Sequence, residues 1–302
     1  MALRALSARL GADPLQVQGA GGNTSWKAGD VLWVKASGML LSDAMARDVF
    51  VPVDLAAARA EAAGAGDGTC RAAVLSGDLR PSIETTFHAA LPERCVVHTH
   101  SVAVLAHATS GEGLAALADA MSGLDHAVIP YRMPGRPLTE AIVARAGSAP
   151  VLILADHGLV VRADDAAAAA DLIAEVERRL ALPARAASVP EAPPPEGFAW
   201  MPAAFGPHDA GDRSLYPDHV VFLGPGLPDG PADGRPACLA AGGLAIREDA
   251  GAAPRAMARC LSDVLARVPE GWTPRGIGAE AEAALMGWDA EAYRRTLAQG
   301  RT

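Results

Sequence analysis

Three histidines have the types and spacing that metal chemistry requires. His98 and His100 form the triplet HTH directly after the apolar run CVV, and residues i and i+2 of a strand project to the same face. Alone, this pair would more often be two ordinary histidines at a strand end. His157 favours a metal site, because it follows a second apolar run, VLILAD, and precedes Gly158. Three imidazoles at the ends of two strands are typical of a catalytic metal site with one open position.

Glu84 is the candidate for acid–base chemistry. It lies in the stretch RPSIETTFH, where Pro81 and Ser82 start a predicted helix upstream of the HTH triplet. A carboxylate in a first helical turn is also stabilised by the helix dipole, so Glu84 taken alone could be structural. We interpret His88, one turn further along, as a packing residue or as a partner of a site residue.

The glycine-rich segment QGAGGNTS, residues 18–25, has two interpretations of equal weight. It could form a tight turn that requires positive φ, or it could bind an anion through backbone N–H groups and Asn23. A nucleotide-binding loop is disfavoured, because Thr24 replaces the third glycine of GxGxxG and no GK[ST] follows. Schiff-base chemistry has few candidates, since Lys27 and Lys35 are the only lysines.

Mixed strand and helix patterns predict a layered α/β fold that positions these residues. Apolar periodicity predicts helices over residues 4–10, 84–91, 139–146 and 166–182, and strands over residues 31–36, 49–53, 95–97 and 151–155. A proline-rich stretch predicts a linker over residues 183–197. We therefore expect a catalytic domain over residues 1–182 and a small α/β domain of unassigned role over residues 198–302.

A weak internal similarity crosses that linker. The segment GLVVRADD from Gly158 and the segment GLAIREDA from Gly243 each predict a strand, an acidic turn and then a helix. A true repeat and a chance likeness between two ordinary strand-to-helix units explain this equally well. Only the first copy follows a histidine.

Composition excludes several classes of function. The chain has 26 basic and 35 acidic residues and a net charge of −9, which disfavours binding to nucleic acid or to an anionic membrane. No apolar window approaches the ~18 residues of a membrane span, and we expect no signal peptide and a mature start near Met1. The four cysteines stand far apart without a CxxC pair, so we expect a cytoplasmic protein without disulfides.

The segments GAGGNTSWK, LWVKASG, RPSIETTFHAALPERCVVHTHSVAVLAH, PYRMPG and LILADHGLVV resemble, in order and spacing, the class II aldolase/adducin family. The resemblance covers about residues 15–182 and implies a three-layer domain, with a central antiparallel or mixed sheet between helices, that assembles into a homo-oligomer, usually a tetramer. It also implies that His98, His100 and His157 bind a divalent metal, most often Zn²⁺, and that Glu84 binds the metal at rest and transfers a proton in turnover. The segment YPDHVVFLGPG after the linker is similar to the extra domain of rhamnulose-phosphate aldolase-dehydrogenase proteins.

The resemblance further implies a substrate-anion site built from three turns. The residues that match these turns are Gly22, Asn23, Ser37, Gly38 and Ser82. Ile83 departs from the family, because the sugar-phosphate aldolases carry a second serine there. No tyrosine lies within residues 111–126, where related aldolases place a proton donor. These departures keep both a phosphorylated sugar and a free sugar as expected substrates.

We predict a metal-dependent aldolase that cleaves or forms a C–C bond in a small sugar or sugar phosphate through an enediolate. A sugar-phosphate epimerase of the same family is the first alternative, because it would use the same ion and the same enediolate. A non-catalytic adducin-like interaction module is the second. Adducin-type domains lose the metal residues, and this chain keeps all of them.

Overall fold

The computed structural model describes residues 1–204 and 213–299. Contacts between residues divide the chain into two compact units. The first comprises residues 1–101 and 121–179, and the second comprises residues 102–120 and the chain from residue 180 onward. The first unit therefore ends near the boundary predicted at residue 182, whereas residues 102–120, which lie inside the predicted catalytic domain, group with the second unit.

The helices of the described chain are numbered here in order. They are α1 (Ala2–Ala12), α2 (Leu55–Ala62), α3 (Thr85–Ala90), α4 (Val102–Ala108), α5 (Gly111–Ala120), α6 (Arg136–Arg145), α7 (Ala166–Arg179), α8 (Pro217–Leu223), α9 (Ala252–Arg267), α10 (Ala279–Gly287) and α11 (Asp289–Gln299). Among the described residues, none of these helices is long and apolar enough to span a membrane.

A seven-stranded mixed sheet forms the centre of the first unit. Its strands are β1 (Asn23–Ala28), β2 (Val31–Lys35), β3 (Phe50–Asp54), β4 (Cys95–Thr99), β5 (His126–Ile129), β6 (Val151–Leu154) and β7 (Gly158–Ala163). Their spatial order is β3-β2-β1-β4-β7-β6-β5, and every neighbouring pair is antiparallel except β5 and β6. Strands β4, β6 and β7 are buried along their whole length, which for β4 and β6 agrees with their compact apolar runs.

Helices cover both faces of this sheet and give the three layers that the sequence predicts. On one face, Phe87 of α3 and Ile142 of α6 pack with Val96 and Val160 of the sheet, and α2 packs beside them over β2 and β3. On the other face lies α1, whose Ser7 is hydrogen-bonded to Thr24, together with α7. The first unit is thus a three-layer α/β domain.

The register of β1 against β4 sets up the site. Asn23 lies opposite His98, and Ser25 lies opposite Val96. Since alternate residues of a strand share a face, all four side chains point to the face that carries α3. The polar side chains Asn23, Ser25 and His98 therefore face the helix that begins just after Glu84.

The second unit contains a smaller sheet. Its strands are β8 (Phe198–Met201), β9 (Ala237–Ala240) and β10 (Gly243–Arg247), in the order β8-β10-β9, with both pairs antiparallel. Helix α9 packs against α4 and α8. Residues 183–197, all of which are described, form no helix or strand. Contacts place this stretch in the second unit, together with the small α/β region that follows it, and the linker stays a prediction.

Candidate metal centre

His98, His100 and His157 lie together at the end of β4. Their ligand atoms are all within 4.8 Å of one another, and all three residues are buried. The ring centroid of His98 is 4.9 Å from that of His100 and 5.0 Å from that of His157. The structure therefore brings the three histidines that the sequence singled out to one point.

The turn between β6 and β7 places His157 beside β4. Asp156 adopts the left-handed conformation, with φ of 53°, and the backbone N–H of His157 donates to the carbonyl of Leu154. Gly158 then starts β7 against the end of β4, where a Cβ atom would lie only 2.3 Å from the carbonyl oxygen of Thr99. Because any larger residue would collide there, the glycine lets β7 approach closely enough for His157 to reach the other two imidazoles.

The protonation of His98 follows from its one hydrogen bond. Its Nδ1 lies 2.9 Å from the carbonyl oxygen of Leu159. A carbonyl only accepts, so Nδ1 carries a hydrogen, and in the neutral ring the lone pair is on Nε2. This Nε2 atom is buried and makes no hydrogen bond to any described residue. A buried nitrogen of this kind fits a metal ligand, since a bound cation would satisfy the lone pair.

The carboxylate of Glu84, the residue that precedes α3, lies against the imidazoles. Its Oε2 is 3.5 Å from His98 Nε2, and its Oε1 is 3.5 Å from His157 Nε2. Burial by itself raises the pKa of Glu84, but His98, His157 and a hydrogen bond from Asn23 outweigh it and lower the pKa to about 2. The site therefore combines three imidazoles with one ionised, buried carboxylate.

Asn23 connects the glycine-rich segment to this carboxylate. Its Nδ2 donates to Glu84 Oε2 at 2.7 Å and to Ser82 Oγ at 3.1 Å. Ser82 Oγ also accepts the backbone N–H of Glu84 at 3.2 Å. Two residues predicted to contact the substrate's anion thus support the carboxylate in this structure.

His88, on α3, extends the same network. Its Nε2 is hydrogen-bonded to Asn23 Oδ1, and its Nδ1 lies 2.7 Å from Ser25 Oγ. The ring is fully buried and stacks on Phe87. Burial, and then the charge of Lys27, hold the pKa of His88 well below its usual range, so the ring is neutral. His88 is therefore both a packing residue and a partner of a site residue, the two roles between which the sequence did not decide.

Lys35 holds the glycine-rich turn in place. Its buried ammonium donates to the carbonyl of Ala20 at 2.7 Å and to that of Gly22 at 2.9 Å. A Cβ atom at Gly21 would lie 2.8 Å from His100 Nδ1, and one at Gly22 would lie 2.8 Å from the carbonyl oxygen of His98. Both glycines are needed for the turn to pass this close to the histidines.

The second and third predicted anion turns are joined through their backbones. The N–H of Ser37 donates to the carbonyl of Arg80, and the N–H of Ser82 donates to the carbonyl of Lys35. Gly38, with φ of 74°, continues the second turn. Internal hydrogen bonds therefore already use two backbone donors, which leaves the hydroxyl groups of Ser37 and Ser82 as the donors that these serines offer to a ligand.

Sequence reasoning missed two residues near this centre. It treated Lys35 only as a candidate for Schiff-base chemistry, and it gave Tyr131 no role. Tyr131 follows β5 at the same end of the sheet as His157, because Ile129 pairs with Leu154. Its hydroxyl is buried without a hydrogen bond to any described residue, and burial, together with Asp156, raises its pKa.

Asparagine and lysine are rare in this sequence, and their positions are a signal from which part of this site could have been predicted. Asn23 is the only asparagine of the 302 residues, and Lys27 and Lys35 are the only lysines. All three lie on the paired strands β1 and β2. Asn23 and Lys35 contact the candidate centre or its glycine-rich turn, whereas Lys27 donates to the carbonyl of Glu93 at the opposite end of β4.

Comparison with known proteins identifies related sequences and folds. Residues 3–182 match the family model described as Class II Aldolase and Adducin N-terminal domain. The N-terminal class II aldolase domain of a conserved protein from Thermoplasma acidophilum is 26% identical, with a TM-score of 0.52 over 59% of this chain and 90% of that one. No curated protein matches the chain.

Two further solved structures overlap the same 59% of the chain. An L-fuculose 1-phosphate aldolase is 21% identical over 81% of its own chain, with a TM-score of 0.43. A sugar-phosphate aldolase from Thermotoga maritima is 15% identical over 89% of its own chain, with a TM-score of 0.46. The family match ends at residue 182, so the resemblance of the later segment to an extra domain stays a prediction.

Proposed function

The chain belongs to the class II aldolase and adducin N-terminal domain family, and on that premise we propose that it is a metal-dependent aldolase acting on a small sugar or sugar phosphate. One observation carries this proposal. The carboxylate of Glu84 lies 3.5 Å from an imidazole nitrogen of His98 and 3.5 Å from one of His157, within a cluster that includes His100. Enolisation next to a carbonyl requires a cation that polarises the carbonyl group and a base that removes the proton. A cation site with an ionised carboxylate beside it can supply both.

Zn²⁺ is the ion that we propose for this site. His98, His100 and His157 would hold it, and three imidazoles with an open position are a common catalytic zinc arrangement. Imidazole ligands also suit other first-row ions, so metal analysis has to decide between them. When bound, the cation supplies Lewis acidity that stabilises negative charge on the carbonyl and hydroxyl oxygens of the substrate.

Glu84 is the proposed proton-transfer residue. In the direction of C–C bond formation, its carboxylate removes a proton from the carbon next to the substrate carbonyl and leaves an enediolate. In the direction of cleavage, its carboxyl group returns that proton to the same carbon. Its Oε2 accepts a hydrogen bond from Asn23 Nδ2, and its Oε1 makes no hydrogen bond to any described residue. Oε1 is therefore the oxygen that is available to the reacting carbon.

Substrate contacts are proposed for the three turns near the centre. Gly22 and Asn23, then Ser37 and Gly38, and finally Ser82 would surround the terminal group of the sugar. Because Asn23 and the backbone of Ser82 are already engaged within the protein, the site offers an anion fewer donors than the turns alone suggest. Both phosphorylated and free sugars are therefore candidate substrates.

Assembly and location complete the proposal. We expect a homo-oligomer, a tetramer on the family pattern, in the cytoplasm. All four cysteines are buried and free, which suits a reducing compartment.

The test combines metal analysis with a substrate panel. We expect one divalent ion per chain after reconstitution, release of an aldehyde from at least one ketose or ketose phosphate, and loss of turnover on chelation. His98→Ala should lose both the ion and the activity. His126→Ala is the matched control, because His126 is half-buried on β5 and bonds only the carbonyl of Leu124 among the described contacts.

Three results would contradict the proposal. Failure to retain metal together with no turnover would favour the interaction module. An epimeric ketose without free aldehyde would favour the epimerase. Normal metal occupancy in His98→Ala would show that the imidazole cluster is not the metal site.

A further inference from the structure

Four buried side chains form one continuous line of hydrogen bonds behind the metal centre. Ser25 contacts His88, His88 contacts Asn23, and Asn23 contacts Glu84. Each of the four is less than one-tenth exposed. The line connects strand β1, which carries Ser25 and Asn23, and helix α3, which carries His88, to the carboxylate that we propose as the proton-transfer group.

The direction of every bond in this line follows from counting hydrogens. A carboxylate only accepts, so the amide nitrogen of Asn23 must face Glu84, and its second hydrogen reaches Ser82 Oγ. The amide oxygen of Asn23 then faces His88 and needs a donor. The neutral ring of His88 has one N–H, which must therefore be on Nε2. Its Nδ1 is left as an acceptor for the hydroxyl of Ser25.

If every donor and acceptor in this line were exchanged, each hydrogen bond could still form except the one between Asn23 and Glu84. If His88 carried its hydrogen on Nδ1, it would donate to Ser25, and Nε2 would accept from an Asn23 amide turned by 180°. The amide oxygen of Asn23 would then face the carboxylate of Glu84, and two acceptors would be pressed together in a buried site. The ring hydrogen of His88 therefore decides which end of the Asn23 amide the carboxylate meets.

We propose that His88 is a positioning residue that, through Asn23, holds Oε2 of Glu84 and leaves Oε1 for the reacting carbon. The inference rests on the proposed role of Glu84 in proton transfer. A side chain that only fills the core would stack on Phe87 equally well without nitrogen atoms. A substitution that removes the N–H of His88 but keeps its volume separates the two roles. It should change the Asn23 amide signals and kcat if His88 is a positioning residue, and neither if His88 only fills the core.

The first measurement needs no metal and no substrate. Because Asn23 is the only asparagine, labelling asparagine side chains with ¹⁵N gives one amide pair in the spectrum of the metal-free chain. We expect one of its two protons to shift in Glu84→Gln, which assigns the proton bonded to the carboxylate. His88→Leu should move both protons toward the values of a free amide and speed their exchange with water, and His88→Gln should restore the wild-type pattern.

The second measurement uses the zinc-loaded enzyme. We expect His88→Leu to lower kcat about 10-fold to 100-fold, with KM and the Kd for zinc nearly unchanged, as is typical when a partner of a site residue is lost. His88→Gln should recover most of that rate, because its amide nitrogen can replace Nε2 as the donor to Asn23. His126→Gln is the control, since it makes the same change at a histidine on β5 that lies outside this line of hydrogen bonds.

Each outcome decides the matter. An unchanged Asn23 amide pair in His88→Leu overturns the inference, and so does kcat within twofold of wild type. If His88→Leu does not fold, Ser25→Ala tests the same line from its far end, and an unaltered amide pair there is equally contrary. Absence of turnover in the wild type with every sugar contradicts the proposed function, while the amide spectrum still tests the hydrogen-bonded line.

Discussion

Replacing Glu84 with glutamine separates the chemistry of the carboxylate from its structural contribution. The amide keeps the shape and can still accept a hydrogen bond from Asn23. A hydrogen bond to a charged group contributes about 1.5–3 kcal/mol and a neutral one about 0.5–1.5 kcal/mol, so the substitution should cost stability roughly 1 kcal/mol. Loss of a proton-transfer group typically lowers kcat by ~10² to 10⁴, which is about 3–5 kcal/mol in the barrier. We therefore expect the effect on catalysis to exceed the effect on stability.

The assay follows proton removal from the ketone fragment alone, without the aldehyde. Exchange of the C–H protons of dihydroxyacetone phosphate, or of dihydroxyacetone, with D₂O reports proton removal directly. We expect this exchange to fall at least ~100-fold in Glu84→Gln, with the zinc content unchanged. Glu140→Gln, on the exposed side of α6, is the control for loss of a negative charge. Exchange within threefold of wild type would return Glu84 to a structural role, and loss of zinc would show that the three imidazoles alone do not hold the ion.

Three further predictions concern the substrate, the lysines and alkaline stability. Ile83→Ser should raise kcat/KM for a phosphorylated ketose relative to the free ketose about 10-fold to 150-fold, and a wild type that already prefers the phosphate by about 10³, with no gain in the variant, would refute this. Borohydride with substrate should trap no adduct, because the ammonium of Lys35 is bonded to backbone carbonyls; mass spectrometry of both lysines checks it. Burial raises the pKa of Cys70 from 9.0 to about 12, so stability present below pH 9 is lost as the pH rises toward 12. Urea unfolding should show the wild type losing up to about 1.4 kcal/mol per pH unit more than Cys70→Ala above pH 9, and equal slopes would contradict the shift.

The sequence predicts the sheet segments around the histidines well, because their apolar runs are long and uninterrupted. The strand expected over residues 95–97 is β4, Cys95–Thr99, and the strand expected over residues 151–155 is β6, Val151–Leu154. The helix expected over residues 166–182 ends earlier, at Arg179. Strands β4 and β6 carry or shortly precede all three histidines, which is why the cluster could be predicted without coordinates.

Contacts between distant segments could not be predicted in the same way. The pairing of Asn23 with His98 depends on the register of two strands far apart in the chain. His88 has no local pattern that distinguishes it from a core residue, since its partners Asn23 and Ser25 come from β1. Strand β5 was not predicted, because it has only four residues, of which Ile129 alone is buried, so no alternating pattern is visible.

Residues 102–120 belong to the second unit but lie between two segments of the first. No single cut in the gene therefore separates the coding sequences of the two units. The chain leaves the first unit after Ser101, contributes α4 and α5 to the second unit, and returns to the first at Met121. All seven residues of α4 are buried, and α9 is one of the elements that cover it. A gene cut after codon 182, where the family match ends, would keep α4 and lose α9. Recombination that exchanged whole domains at that point would expose an apolar helix, so the two units are expected to be inherited together.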